Sequence, residues 1–398
     1  MPKAEVSALQ GLKIVDFSRF LPGAYASWVA ADMGAEVIRI EHPRELAKQT
    51  AMFGADDDAA AAARRRARPS YTRNKRSLAI NPGQAAARPV LERLIAGADV
   101  LIEDYRPGVM AGMGYGHAAM AALNPRLITL SVSFAGQNGP LADRAGHDPL
   151  ALALAGALSR LNGLPTPSLP GLQVADVLTG AHATIAMLLA LAARDRRGSG
   201  EHVDVAMSDA SLPLLLVSMA RHDDLDELAP PGTWHPKGGV WECADGGFLC
   251  TTDMEPAYWQ RFCAAIGRPE FAARQHDAQA HPAMHAQIAA ILRTRSRDDW
   301  FALLGTARTQ AMPVYSPAEA LAHPHHRARG RIVDVPLPAD ARPLVQLALP
   351  FGFSETRAVA PRPAGPAGAD NAGLLAELGF DAEALAAAGA FSTERSKA

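Results

Sequence analysis

The stretch from Leu12 to Glu41 constrains the fold more than any other part of this chain. Leu12-Lys13-Ile14-Val15-Asp16-Phe17 is rich in strand formers and reads as a first strand. Pro22-Gly23 then turns the chain into a helix expected over Ala24–Met33 and capped by Gly34. Glu36-Val37-Ile38-Arg39-Ile40-Glu41 is a second strand, closed by Pro43. A strand, helix and strand in this order form a parallel pair with a right-handed crossover. Such a sheet takes its ligand at the carboxyl ends of the strands, here near Ser18–Gly23 and Glu41–Arg44.

The alternation continues. Strands are expected at Leu78–Ile80, Val100–Glu103 and Leu127–Val132, with a helix from about Gly83 to Ala96. This predicts an α/β domain with a largely parallel sheet. Residues 45–68 are rich in Ala, Asp and Arg and read as a loop, with Arg64-Arg65-Arg66-Ala67-Arg68 as its solvated face. Gly112-Met113-Gly114-Tyr115-Gly116 superficially suggests a nucleotide loop, but it follows no strand directly and opens no clear helix.

At 398 residues the chain exceeds one ordinary core, and its composition shifts at Asp223–Gly232. The expected organisation is a large α/β domain over 1–222, a small α+β domain over 226–330, and an extended linker and tail over 331–398. The small domain opens with a hairpin, Val240–Cys243 and Phe248–Thr251 around Asp245-Gly246-Gly247, followed by helices. Residues 336–368 are too Pro-rich for packed helices and are expected to lie across a surface; the last helix is Ala372–Leu378.

A net charge of −2 gives no reason to expect a nucleic-acid or membrane partner. The most apolar run, Ile185–Ala193, reads as too short to span a bilayer. Cys243, Cys250 and Cys263 form neither a disulfide framework nor a zinc pattern, and Met1–Gln10 lacks a signal-peptide layout. The expectation is a cytoplasmic protein with no bound metal.

Chemistry concentrates between Gly146 and Asp209. Gly146-His147-Asp148 precedes a loop containing Pro165, Pro167 and Pro170; Gln173-Val174-Ala175-Asp176 then heads an apolar helix ending near Arg194. A histidine is tunable near neutrality. An aspartate at a helix start sits where backbone N–H groups favour an anion, though it also suits a plain N-cap. His147 and Asp176 can serve as acid and base if the fold unites them. Arg39, Arg73, Lys75 and Arg106 flank strands, where a phosphate-bearing ligand would lie.

In order along the chain stand Gly11–Asp16, Gly34–Glu41, Asn74-Lys75-Arg76-Ser77, Tyr105-Arg106-Pro107-Gly108, Asn124-Pro125-Arg126-Leu127, Arg194-x-Arg-x-Gly198-x-Gly200 and Leu375–Gly379. This ordered set resembles the family III coenzyme A transferases, the CaiB–BaiF family. Gly146-His147-Asp148, Ala175-Asp176 and Met254-Glu255-Pro256 further resemble its α-methylacyl-CoA racemase branch. The glycine-rich loop of the oxalate-type transferases is reduced to Lys237-Gly238-Gly239.

The resemblance implies a Rossmann-like large domain built from the N-terminal part and the C-terminal tail, an inserted small domain, and an interlocked homodimer. It implies His147, Asp176 and Glu255 as catalytic and supporting groups. Arg39, Arg73, Lys75, Asp104, Tyr105, Arg106 and Asp148 would serve the coenzyme A moiety, which arrives as part of an acyl-CoA substrate with no permanently bound cofactor. The activity implied is inversion at C2 of a 2-methylacyl-CoA through an enolate. CoA transfer through an aspartyl anhydride and thioester is the alternative, and an inactive thioester-binding protein a further one. Leu172, Ala151, Gly112 and His42 depart from residues usual at their positions and bear on the substrate pocket and phosphate contacts.

Overall fold

The computed structural model describes residues 7–47, 58–161, 163, 166–220, 238–337 and 340–394. Its backbone divides into two compact units. The larger comprises Met1–Asn162, Thr166–Glu227 and Gly330–Ala398; the smaller comprises Gly163–Pro165 and Leu228–Arg329.

In the larger unit six parallel strands form one sheet: β1 (Lys13–Asp16), β2 (Glu36–Glu41), β3 (Lys75–Ala79), β4 (Val100–Glu103), β5 (Ile128–Ser133) and β6 (His202–Ala206). Their spatial order is β3-β2-β1-β4-β5-β6. The chain therefore reverses its direction of travel between β1 and β4, and this switch point leaves a crevice at the carboxyl ends of those two strands.

Both faces of the sheet are covered, as its apolar strands require. Helices α1 (Leu21–Asp32) and α6 (Val174–Arg197) cover one face, where Ala26, Ala30, Ala183, Met187 and Ala190 pack on Ile14, Val100 and Leu130. Between them in the chain lie α2 (Ala59–Ala67), α3 (Arg88–Ala96), α4 (His117–Leu123) and α5 (Asp148–Leu154). On the other face Val90, Leu91 and Ile95 of α3 and Met120 of α4 meet Val15, Leu78 and Leu101. Gly180 lets α1 and α6 cross closely: a Cβ there would lie 2.6 Å from the Cβ of Tyr25.

The C-terminal tail returns to the larger unit and seals its β3 edge. Asp370 accepts from the Ser77 backbone N–H at 2.8 Å, and Asn371 from that of Ala79 at 2.8 Å. Leu374 and Leu375 join the core from helix Asn371–Glu377. The edge is thereby closed to pairing with another chain.

Several expectations are corrected. Part of the 45–68 loop is α2, started by Asp58 accepting from Ala61 N–H at 2.7 Å. Its arginines are engaged: Arg66 bonds Glu41 and the Gly365 carbonyl, and Arg64 the Arg342 carbonyl. The tail is extended where expected, and it opens as an antiparallel ribbon, β10 (Ile332–Leu337) and β11 (Asp340–Leu347). Helix α6 spans 24 residues, close to the helix expected from Gln173 to near Arg194, so the apolar run Ile185–Ala193 understated how much of it is apolar. By length and composition it alone among the described residues could cross a membrane. It is nevertheless the core helix of the sheet, fastened at its end by Arg194 pairing with Asp99 at 2.8 Å.

The smaller unit holds a three-stranded antiparallel sheet of β7 (Gly238–Glu242), β8 (Phe248–Thr252) and β9 (Ala311–Pro313). Helices Pro256–Ala265, His281–Leu292 and Arg297–Thr306 pack on it around Trp241, Trp259 and Trp300. The compositional shift at 223–232 and Lys237 lie outside the described residues.

Candidate active site

A cavity of about 280 Å³ occupies the switch point. Arg19, Phe20, Leu21 and Pro22 line it from the turn after β1, and Asp104–Pro107 from the turn after β4. Val132, Ser133 and Phe134 add the end of β5, and Gly146, His147 and Asp176 complete the wall. The two residues singled out as acid and base, 29 positions apart in the chain, thus share one cavity.

Local geometry explains how each is presented. His147 is the exposed N-cap residue of α5, makes no cap hydrogen bond, and stands edge-on to Phe20 with ring centroids 5.8 Å apart. Gly146 lets the chain pass over Phe134: a Cβ there would lie 2.2 Å from that ring. Gln173 is the N-cap of α6, so Asp176 lies inside the first turn and the plain N-cap reading falls away. The backbone N–H of Asp176 is satisfied by Asp148 Oδ2 at 2.9 Å. Asp148 is buried at the start of α5, and its Oδ1 has no hydrogen-bond partner among the described residues.

The electrostatics follow. Burial first, then the neighbouring charge of Asp148, pushes the Asp176 carboxyl up to about 6, while His147 opposes the shift. A carboxylate titrating there can exchange protons, or attack as a nucleophile, close to neutral pH.

Other predicted ligands have different employment. Asp104 accepts from the backbone N–H groups of Arg19 and Phe20, both at 2.7 Å, and pairs with the Arg19 guanidinium at 3.0 Å. It therefore ties the turn after β1 to the turn after β4. Arg19 in turn lies 4.1 Å over the Tyr105 ring, and only Arg106 of this group is exposed. Arg39 stands beside Glu41 at 3.7 Å and does not line this cavity.

Arg73 and Lys75 are not presented to a ligand. Arg73 is buried, paired with Asp32 and bonded to Gln346 Oε1 at 3.0 Å and the Leu347 carbonyl at 2.7 Å. Lys75 is buried with Asp16, Ser27 and the Ala24 carbonyl. Their positions beside a strand matched a ligand site, but both side chains turn inward to α1. Leu172 is 72% exposed and Ala151 fully buried; neither lines the cavity. Glu255 belongs to the smaller unit, where it is the exposed N-cap residue of helix Pro256–Ala265 without a side-chain cap bond. Arg19, Phe134 and Arg144 are cavity residues that sequence reasoning did not single out. The turn holding Arg19 was legible as a strand end; the other two carried no signal.

A crevice at the sheet's switch point that holds a perturbed carboxylate, a histidine and arginines has the groups that acid–base or nucleophilic catalysis uses. The family description "CoA-transferase family III" matches residues 9–371, and the chain belongs to that family of enzymes. It is 31% identical to an acyl-CoA transferase of Fusarium pseudograminearum, over 95% of this chain and 86% of the relative. It is 30% identical to a succinate–glutarate CoA-transferase of Agrobacterium fabrum, over 93% and 95% respectively. Among solved structures, a CaiB/BaiF family protein from Brucella suis superposes with a TM-score of 0.79 at 28% identity, covering 94% of this chain and all of that one.

Proposed function

We propose that this enzyme moves coenzyme A from an acyl-CoA to a free carboxylic acid, with Asp176 as the nucleophile. The observation that carries the reading is the Asp176 carboxylate on the wall of the switch-point cavity. It is supported by the named activities of relatives aligned along most of the chain.

Asp176 attacks the thioester carbonyl, giving an acyl-aspartyl anhydride and the CoA thiolate. The thiolate attacks the aspartyl carbonyl, releasing the first acid and leaving an aspartyl–CoA thioester. The second acid's carboxylate attacks that thioester, and the thiolate released then takes the new acyl group, regenerating Asp176. The dipole of α6 at its N-terminal end favours the negative charge that develops beside it. Coenzyme A would enter only as part of the substrate, and Arg106, an exposed cation on the cavity wall as Arg144 is, would meet its phosphates. Glu255 would act as a supporting charge.

A second reading has its own support. His147 lines the same cavity as Asp176, and two-base racemisation at C2 of a 2-methylacyl-CoA would use two such groups, one on each face of that carbon. One experiment separates the readings. The enzyme is incubated with an acyl-CoA and a labelled free acid, and separately with a 2-methylacyl-CoA in D2O. Label entering the CoA ester, lost in Asp176→Ala, supports transfer. Deuterium at C2 without label exchange overturns it in favour of the racemase, and neither result despite thioester binding leaves a binding protein.

The assembly we propose is a homodimer. Val177, Ile185, Leu188 and Leu189 leave an apolar face of α6 exposed, with Leu216 and Val217 also exposed, and a second copy would cover it. Three free thiols accord with a reducing, cytoplasmic setting.

A further inference from the structure

A second, smaller cavity of about 90 Å³ lies behind the turn that carries Arg106, which lines both cavities. Its wall is polar. Thr129 and Ser131 project from the same face of β5, two residues apart. His117 Nδ1 meets Thr129 Oγ1 at 2.9 Å, and His202 Nε2 meets Ser131 Oγ at 3.0 Å. The two imidazoles are neighbours, tilted by 30° with centroids 5.1 Å apart. Glu103, at the end of β4, is the one acidic group on the wall.

Two wall groups have no hydrogen-bond partner among the described residues. Tyr115 is 1% exposed, and its hydroxyl makes no hydrogen bond; Gln137 Nε2 is likewise buried and unbonded. Buried donors are seldom left unbonded, because each forgoes the hydrogen bond it makes in water. Burial pushes the Tyr115 phenol up to about 12, so it remains a donor. Burial also pushes the Glu103 carboxyl up to about 7, which reduces the negative charge facing a ligand. The wall therefore offers a guanidinium, an amide N–H, a phenol and two imidazoles against one weakly ionised carboxyl.

We infer that this cavity binds a small free carboxylate, held by Gln137, Tyr115 and Arg106 and flanked by His117 and His202. The inference rests on the CoA-transfer reading for the identity of the acid, which would wait one turn away from the Asp176 cavity. A carboxylate suits the space, which holds only a few heavy atoms, and its two oxygens can take both unbonded donors.

Acetate is the probe. The full-length enzyme, carrying 13C-labelled histidine, is titrated while the imidazole signals of His117 and His202 are followed, assigned through His117→Asn and His202→Asn. Saturable shifts of both signals are expected in the wild type and in Asp176→Ala, so the result does not depend on turnover. Gln137→Ala and the conservative Tyr115→Phe should each weaken binding roughly tenfold, the loss of one charge-assisted hydrogen bond. If transfer occurs, Gln137→Ala raises KM for the acid and leaves KM for the acyl-CoA unchanged. Shifts that do not saturate, or that persist equally in both variants, mean that the cavity holds only water and overturn the proposal. Inorganic phosphate binding as tightly as acetate overturns the carboxylate assignment.

Discussion

Lys75→Met tests whether the lysine beside β3 holds the fold or the substrate. Lys75 Nζ lies 3.1 Å from Asp16 Oδ2, 3.1 Å from the Ala24 carbonyl and 2.6 Å from Ser27 Oγ. Both partners of the ion pair are buried, Lys75 at 5% exposure and Asp16 at 0%. Burial pushes the Asp16 carboxyl up, but the Lys75 ammonium and the Ser18 and Ser27 hydroxyls outweigh it and hold the group below its ordinary value. Removing the lysine strands a buried carboxylate, which costs about 3–5 kcal/mol. Asp16 keeps Ser18 and Ser27, so the lower end applies, about 3 kcal/mol. For a unit of this size, close to 300 residues, that lowers Tm by roughly 5 °C. Differential scanning calorimetry would read the shift, with acyl-CoA binding measured well below the transition. An unchanged Tm together with weakened acyl-CoA binding would refute the structural role and restore Lys75 as a phosphate ligand.

Three further outcomes are expected. Asp176 must be ionised to attack, so kcat/KM should fall as pH drops through about 6; Asp148→Asn removes a like charge and should move that limb to lower pH in a pH–rate profile. The same raised value means that ionised Asp176 opposes folding: its protonated form favours the native state below about 3.8, and that contribution is lost as pH rises through about 6. Asp176→Asn should therefore be more stable than the parent in thermal melts at pH 8, with the difference gone below pH 4. Gly180→Ala drives a methyl into Tyr25 and should cost about 1–3 kcal/mol in urea unfolding, whereas the exposed Leu172→Ala should cost little.

The sequence by itself determined what local pattern can encode. The β-α-β opening, the strands at Val100–Glu103 and near Ile128, and the hairpin at Val240–Thr251 rest on period-two alternation, turn residues and caps, which act within a few residues. The ordered motifs also brought His147, Asp176 and Tyr105–Arg106 forward as one set. The tertiary structure decided which charges face a ligand. Arg73, Lys75 and Arg106 all flank strands, yet the first two turn inward to Asp32 and Asp16. Their partners lie 41 and 59 residues away, and no local rule links such positions. The same limit hid α2, whose arginines are organised by Glu41 and the C-terminal segment, and the roles of Phe134 and Arg144. It also hid the pairing of Asp148 with the Asp176 backbone, where two helix starts meet only after the sheet has formed. The carboxylate identified by its motif thus owes its raised pKa to burial and to a neighbour that the fold alone supplies.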